Sequence, residues 1–312
     1  MKLIKPSVEI LENYLEQVDY IPTKEEILDN IFQQIEVVDR ICYKSEDEIT
    51  EDSSKAFVQT LINRDYGAML EHGTVYLKTF SWYDRKWKNS PYSKIKVINY
   101  DVIGKNTEAF ITTNYSVILE NNWLDDLQYI CLPTEHHEKR VSVRFICDRG
   151  VSYELVRHRT FSFAQECVSG DADHNLTRYC NYSEDEHGEE IAFIIPCWTN
   201  LKEDTCYYTD SISGWGYTKD SGFKEILNKE QSFMDSLSQA RGSYFKLLEL
   251  GWHPQQARAV LPNALKTEVV MTGFVSDWEQ FFKLRTKPDC HPQMLELTIP
   301  LKQMFVQRRY FE

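Results

Sequence analysis

Between residues 140 and 159 the spacing of apolar side chains changes, without a break, from every second residue to every third or fourth. "RVSVRFICD" alternates and puts Val143, Phe145 and Cys147 on one side of an extended chain. It passes through Arg149 and Gly150 into "VSYELVRHR", where Val151 and Leu155 fall at helical spacing. A strand that feeds directly into a helix calls for a fold mixing sheet and helix.

The flanking sequence supports that mixture. "IPTKEEILDNIFQQIEVVDRICYKS" offers Thr23 as an N-cap with Glu26 at the capping-box position, predicting a helix from about 24 to 40. A second helix is expected through "SKAFVQTLINRDYGAMLEH", ending near His72 and Gly73. "GTVYLKTFSWY", "SKIKVINYDVI" and "EAFITTNYSVIL" are rich in β-branched and aromatic residues and read as strands. Residues 202–223 have the Gly, Ser and Asp content of a surface excursion. A long helix follows in "KEILNKEQSFMDSLSQARGSYFKLLELG". Two more are predicted, in "ALKTEVVMTGFVSDWEQFFKLR" and "PQMLELTIPLKQMFVQ". The order helix, sheet, helix, without regular βα alternation, predicts the α+β class, and no internal repeat stands out.

At 312 residues and 42% hydrophobic content the chain can bury a substantial core. Its 35 Lys and Arg stand against 48 Asp and Glu, a net charge of -13, which argues against general affinity for nucleic acid or an anionic membrane. An anionic ligand must then be held by a local basic cluster. Eight cysteines are scattered without a CxxC pair, no apolar leader opens the chain, and no run reaches the length of a membrane span. The expectation is a reduced, cytoplasmic protein.

One basic cluster does occur. "VRHRTFSFAQECVSGDADHNLTRYCNYS" carries Arg157, His158 and Arg159, then Arg178 after a polar detour. Glu154, Arg157 and His158 lie three and four apart, so on a helix they project from one side, either toward a ligand or as a solvated helix end. Arg285 follows Phe274, Trp278, Phe281 and Phe282 by eleven, seven, four and three residues, which on a helix places its guanidinium on the apolar stripe. Charged groups seldom sit there unless paired or binding something, the alternative being an arginine snorkelling at the helix end. Arg258 by itself reads as a surface arginine. His136 and His137 read as a solvated turn, His72 as a structural histidine capping its helix, and Cys167 as a bland thiol with no histidine at a diagnostic interval.

These residues carry a resemblance. "RHRTFSFAQEC" resembles the signature of the flavin-dependent thymidylate synthases, in which Arg-His-Arg is followed by seven residues and a serine, then one residue, then Arg-Tyr. "EHGT" at 71–74, "FICDRGVSYELVRHR", and "ARAVLP" followed 27 positions after its arginine by that of "FFKLR" reinforce it, from about residue 40 to the end. The resemblance implies a single domain over 1–312 with an N-terminal helical extension (1–40) and insertions near 168–176 and 202–223. It further implies a central, mostly antiparallel sheet packed with long helices, and a homotetramer with shared active sites.

The implied reaction is reductive methylation of dUMP to dTMP, with FAD as cofactor, NADPH as reductant and methylenetetrahydrofolate as carbon donor. A relative that methylates or hydroxymethylates C5 of another pyrimidine nucleotide such as UMP, and a flavin- or nucleotide-binding homologue without catalysis, are the alternatives. By position in the family, Glu154, Arg157, Gln165, Cys167, Arg178, Arg258 and Arg285 would meet the nucleotide, with Arg285 the catalytic group. Thr74, Arg157, His158, Arg159, Gln165, Phe274, Ser276 and Gln280 would meet FAD; no metal is implied. This chain departs from the signature in having Cys167 for the serine, nine extra residues before Arg178, and Phe274 and Ser276 where many members carry Asn and Arg.

Overall fold

A computed structural model of the chain describes residues 1–12, 19–80, 86–99, 107–166, 191–203, 205, 207–210, 214–219 and 222–311. Strands β1 (Lys2–Ile4) and β2 (Ser7–Ile10) precede helix α1 (Lys24–Tyr43). The start of α1 is the expected capping box: the Glu26 N–H donates to Thr23 Oγ1 at 3.2 Å, and the Thr23 N–H donates to the Glu26 carboxylate at 2.6 Å. Ile27, Ile31 and Ile35, one face of α1, are buried with residues of α2 (Ser53–Asn63) and α3 (Gly67–Leu70). They cover an antiparallel sheet of β3 (Thr74–Phe80), β5 (Thr107–Asn114) and β4 (Lys94–Asn99), in that order.

The expected second helix is thus two helices. Asp65 between them has φ 61°, in the left-handed region, where an L-residue cannot continue an α-helix. The strand expected through "SVIL" also stops short, at Asn114, whose Oδ1 accepts the Val117 N–H at 2.9 Å and starts α4 (Tyr115–Glu120).

The 140–159 junction folds as β6 (Arg140–Asp148) and α5 (Arg149–Leu155), with Asp148 Oδ1 accepting the Val151 N–H at 2.7 Å. The helix ends earlier than expected, so Arg157 and His158 lie in the turn after it. There follow β7 (Ser162–Gln165), β8 (Ala192–Ile194), and a three-stranded sheet of β9 (Tyr208–Asp210), β10 (Gly214–Lys219) and β11 (Gly222–Glu225) within the excursion. Then come α6 (Asn228–Glu249), α7 (Pro254–Ala257), β12 (Lys266–Phe274), α8 (Val275–Arg285) and α9 (Pro292–Gln307). β1 and β8 pair in parallel, and a third core lies between them and α6.

The largest correction concerns 264–285. The single helix expected there is a strand followed by a helix, and Phe274 ends the strand instead of joining the helical stripe. β12 is central in the sheet β2-β6-β12-β7 and pairs antiparallel with β6 from Arg140↔Phe274 to Asp148↔Lys266. Its "EVVMTGF" run is buried on both faces, so it lacks the alternation that marks a one-sided strand.

The two faces of this sheet differ. Val141, Val143, Phe145 and Cys147 share one side with Val269 and Met271, in a core closed by Trp278, Phe281 and Phe282 of α8 and by Leu297, Leu301 and Phe305 of α9. Each of those large side chains contributes about 1.5–3 kcal/mol by leaving water. Gly273 faces this core at close quarters: a Cβ there would stand 2.5 Å from Phe161 Cδ1. The other face carries Arg140, Ser142 and Arg144 with Glu268, Val270 and Thr272, and α1 lies over part of it through Val38, Ile41 and Cys42.

Candidate active site

α5 and α8 leave the sheet on its apolar side, and the turn after α5 brings His158 against α8. Its ring stands edge-on to Phe281, with centroids 4.9 Å apart. Arg285, in the last turn of α8, reaches back: Nε donates to His158 Nε2 at 2.9 Å, Nη1 to Glu154 Oε2 at 2.7 Å, and Nη2 to the Glu154 carbonyl at 2.9 Å. Arginine only donates, so His158 Nε2 is the acceptor and the ring proton sits on Nδ1. Burial, and secondly the Arg285 charge, push His158 down to about 4, so the ring is neutral at pH 7. Of the five N–H donors of a guanidinium three are used here, leaving two on Arg285 for a ligand.

Arg157 and Arg159 flank His158 and are both exposed. Gln165 belongs to the same side of the sheet: its Nε2 donates to Ser152 Oγ of α5 at 3.1 Å and to Thr267 Oγ1 at 3.3 Å. Glu154, His158 and Arg285 are thus joined at the end of α5, with Arg157 and Arg159 beside His158 in the chain, while Gln165 is bonded to Ser152 within the helix. The sequence pointed to Arg285 for a sound reason, since its neighbours Trp278, Phe281 and Phe282 are buried and its charge is paired.

Other expected site residues lie elsewhere. Thr74 and Phe274 sit on the opposite face, joined through Arg140, which donates to Thr74 Oγ1 at 3.4 Å and whose guanidinium carbon is 5.6 Å from the Phe274 ring centroid. Ser276 opens α8, its N–H donating to Glu138 Oε1 at 3.1 Å, and Gln280 is exposed on the same helix. Arg258 starts a 3₁₀ turn beside α6 and α7. Cys167 and Arg178, with the 168–176 insertion, lie outside the described residues.

Sequence reasoning missed Arg140. Nη1 also donates to the Glu71 carbonyl at 3.0 Å and Nη2 to Ser162 Oγ at 3.2 Å, while Nε is shut off from solvent without an acceptor. Burial drives this guanidinium down to about 10, still charged at pH 7. The available signal was the arginine–serine–arginine alternation at 140, 142 and 144, which puts two cations on the face of β6 away from its core. His72 is fully buried but is not shown capping its helix as expected: it meets Thr272 Oγ1 of β12 through Nδ1 at 2.7 Å, and burial pushes it down to about 3. His137 is not the solvated residue expected. It is buried, with Nε2 3.0 Å from the Leu77 carbonyl and Nδ1 accepting the Thr134 N–H at 3.1 Å. No group of three potential metal ligands occurs among the described residues.

A family model described as thymidylate synthase complementing protein matches residues 132–308. The chain belongs to that family. The matched segment holds Glu154, the 157–159 triplet, Gln165 and Arg285, and it leaves out Thr74. A flavin-dependent thymidylate synthase of Corynebacterium aurimucosum is 27% identical over 165 residues, 53% of this chain and 56% of that one. Another, of Sulfurisphaera tokodaii, is 30% identical over 135 residues, 43% and 45% of the two chains. The chain spans about half the length of the curated relatives it matches. Among solved structures, a UMP/dUMP methylase, PolB, from Streptomyces cacaoi bound with 5-Br UMP aligns over 98% of this chain and 92% of that one, at 13% identity and a TM-score of 0.38. No helix among the described residues is long and apolar enough to cross a membrane.

Proposed function

We propose that this member of the thymidylate synthase complementing family methylates C5 of the uracil ring of dUMP, giving dTMP. Methylenetetrahydrofolate is the carbon donor and NADPH the reductant. The reading is carried by the clamping of Arg285 between His158 and Glu154, with two N–H groups left over. A cation held at three points needs little reorganisation when charge develops beside it. As C5 becomes nucleophilic, negative charge spreads over N3 and its neighbouring carbonyl, and Arg285 is the group to hold it. The neutral His158 acceptor fixes the direction of Nε without competing for that charge, and Glu154 carries the compensating negative charge behind the guanidinium.

The donor chemistry around His158 fits FAD. Exposed guanidinium groups at Arg157 and Arg159 suit a diphosphate, and Gln165 supplies a carboxamide. Bound and reduced, the flavin supplies the hydride that completes the methyl group. Thr74 and Phe274, on the opposite face, would meet the cofactor from a neighbouring copy in a homotetramer, because the sheet separates them from Arg285 within one chain, and Ser276 and Gln280 of α8 would join them there. Arg178 and Arg258, with Cys167, complete the nucleotide site in this reading.

The test is tritium release from 5-labelled dUMP and from UMP, with FAD, NADPH and methylenetetrahydrofolate, and the product mass determined. dTMP formation is the expected result. Turnover with UMP alone moves the activity to the sibling reaction, and a flavin-loaded protein that turns over neither nucleotide refutes the enzyme.

A further inference from the structure

α5 carries Glu154 and α8 ends on Arg285, and α9 is bonded to both helices. Gln293, in the first turn of α9, is buried and donates from Nε2 to Asp148 Oδ2 at 2.6 Å. The other oxygen of that carboxylate accepts the Val151 N–H at 2.7 Å and starts α5. Further along α9, Thr298 is fully buried, and its Oγ1 donates to the Arg285 carbonyl at 2.9 Å.

Both acceptors depend on these donors. The last carbonyls of an α-helix have no donor within the helix, and Arg285 closes α8. The connection to α9 gives the Leu284 carbonyl the Cys290 thiol, at 3.1 Å, and α9 gives the Arg285 carbonyl the Thr298 hydroxyl. Thr298 Oγ1 also stands 2.9 Å from the Met294 carbonyl, but that oxygen, four residues back, belongs to the ladder of α9 itself. The Arg285 carbonyl is therefore the one that needs the hydroxyl. Asp148 is buried too, and a charged oxygen shut away from water is costly to leave without a donor, so Oδ2 needs Gln293.

These bonds close a ring. It runs from Asp148 to Gln293, along α9 to Thr298, across to the Arg285 carbonyl, and from that guanidinium to the carboxylate and carbonyl of Glu154 near the other end of α5. Each link is a hydrogen bond or a stretch of helix, so a shift of α9 moves the start of α5 and the end of α8 together. We propose that Gln293 and Thr298 are positioning residues, which hold α5 and α8 so that Arg285 meets Glu154 and His158 in one geometry. The inference rests on the reaction proposed above, in which Arg285 holds the developing charge, and it gives α9 a task beyond closing the core.

Thr298→Val keeps the shape and removes the hydroxyl, Thr298→Ser restores it, and Gln293→Met releases Asp148. Each full-length variant is compared with the parent in two ways: tritium release from 5-labelled dUMP at saturating FAD, and nitrogen NMR of labelled histidine without nucleotide or folate. Thr298→Val should lower kcat about 10- to 100-fold, the scale of a misplacement of about 1 Å, while KM for dUMP moves little. It should also shift the His158 Nε2 signal, which reports the bond from Arg285. Thr298→Ser should bring both back toward the parent. Gln293→Met should act as Thr298→Val does, and each of the two serves should the other fail to fold. In Arg285→Lys protein the Thr298→Val change should add little, because the hydroxyl acts through that guanidinium; a hydroxyl that served folding alone would give its full loss in either background. Folded Thr298→Val protein that keeps the parent's kcat or the parent's His158 signal overturns the proposal, as does a loss undiminished in the Arg285→Lys background. A parent that turns over neither dUMP nor UMP refutes the reaction instead, and the His158 signal alone then decides the positioning.

Discussion

Replacing Arg285 with lysine keeps the charge and discards the fork. The guanidinium donates from three nitrogens to His158, the Glu154 carboxylate and the Glu154 carbonyl. One ammonium on a flexible stem cannot serve a ring nitrogen and two acceptors of Glu154 together, so at least one acceptor is left unmet and the charge is free to swing. The stability cost is small. The Glu154 side chain is 41% exposed, which discounts the ion pair to a contribution of about 1 kcal/mol or less, and the lost hydrogen bond adds about 1 kcal/mol. Together these lower Tm by about 4–8 °C at most, at about 2–4 °C per kcal/mol. The catalytic cost is larger: removing a preorganised donor from developing negative charge slows turnover about 100- to 1000-fold. Because the interaction strengthens only as charge develops, kcat should fall while KM for dUMP moves little. Tritium release at saturating FAD measures turnover, and flavin absorbance per chain and a melting curve provide the controls. A kcat within threefold of the parent, or a loss that follows flavin content or unfolding, refutes the role given to Arg285.

Two further outcomes are expected. Gly273→Ala drives a Cβ into Phe161, which packs on Trp278 with centroids 4.7 Å apart and on the His158 ring, so it should cost about 1–3 kcal/mol in chemical denaturation and also reduce turnover; unchanged stability contradicts the packing described. Asp39 is buried on α1 with Oδ1 unpartnered, and burial, opposed by Arg40, raises its carboxyl to about 7. A folded value above the unfolded one means stability is complete below about pH 4 and is lost as pH rises toward 7, so Asp39→Asn should flatten Tm between pH 4 and 7 and stabilise most at and above pH 7. An unaltered pH profile contradicts that assignment.

What the sequence revealed depended on how local the cause was. α1 was legible because Thr23 and Glu26 cap it from three residues apart, and α9 because its apolar spacing is its own. β12 was not, since "EVVMTGF" fits a buried strand or a buried helix equally well by pattern, and what makes it a strand is pairing with β6, more than a hundred residues away. The Glu154, His158 and Arg285 cluster was foreshadowed by a charge on an apolar stripe, although Phe274 never belonged to that stripe. Arg140 was hidden because its meaning depends on Thr74 and Ser162, brought to it by separate strands.

The alignment of β12 with β6 reaches further than the sheet. α8 starts one residue after β12 ends, so the ladder sets the azimuth from which Arg285 points. A slip of one residue would exchange the oily and the charged sides of β12 and turn the guanidinium away from the imidazole. A single inserted or deleted residue between 266 and 285 should therefore disable the chemistry even in a protein that still folds.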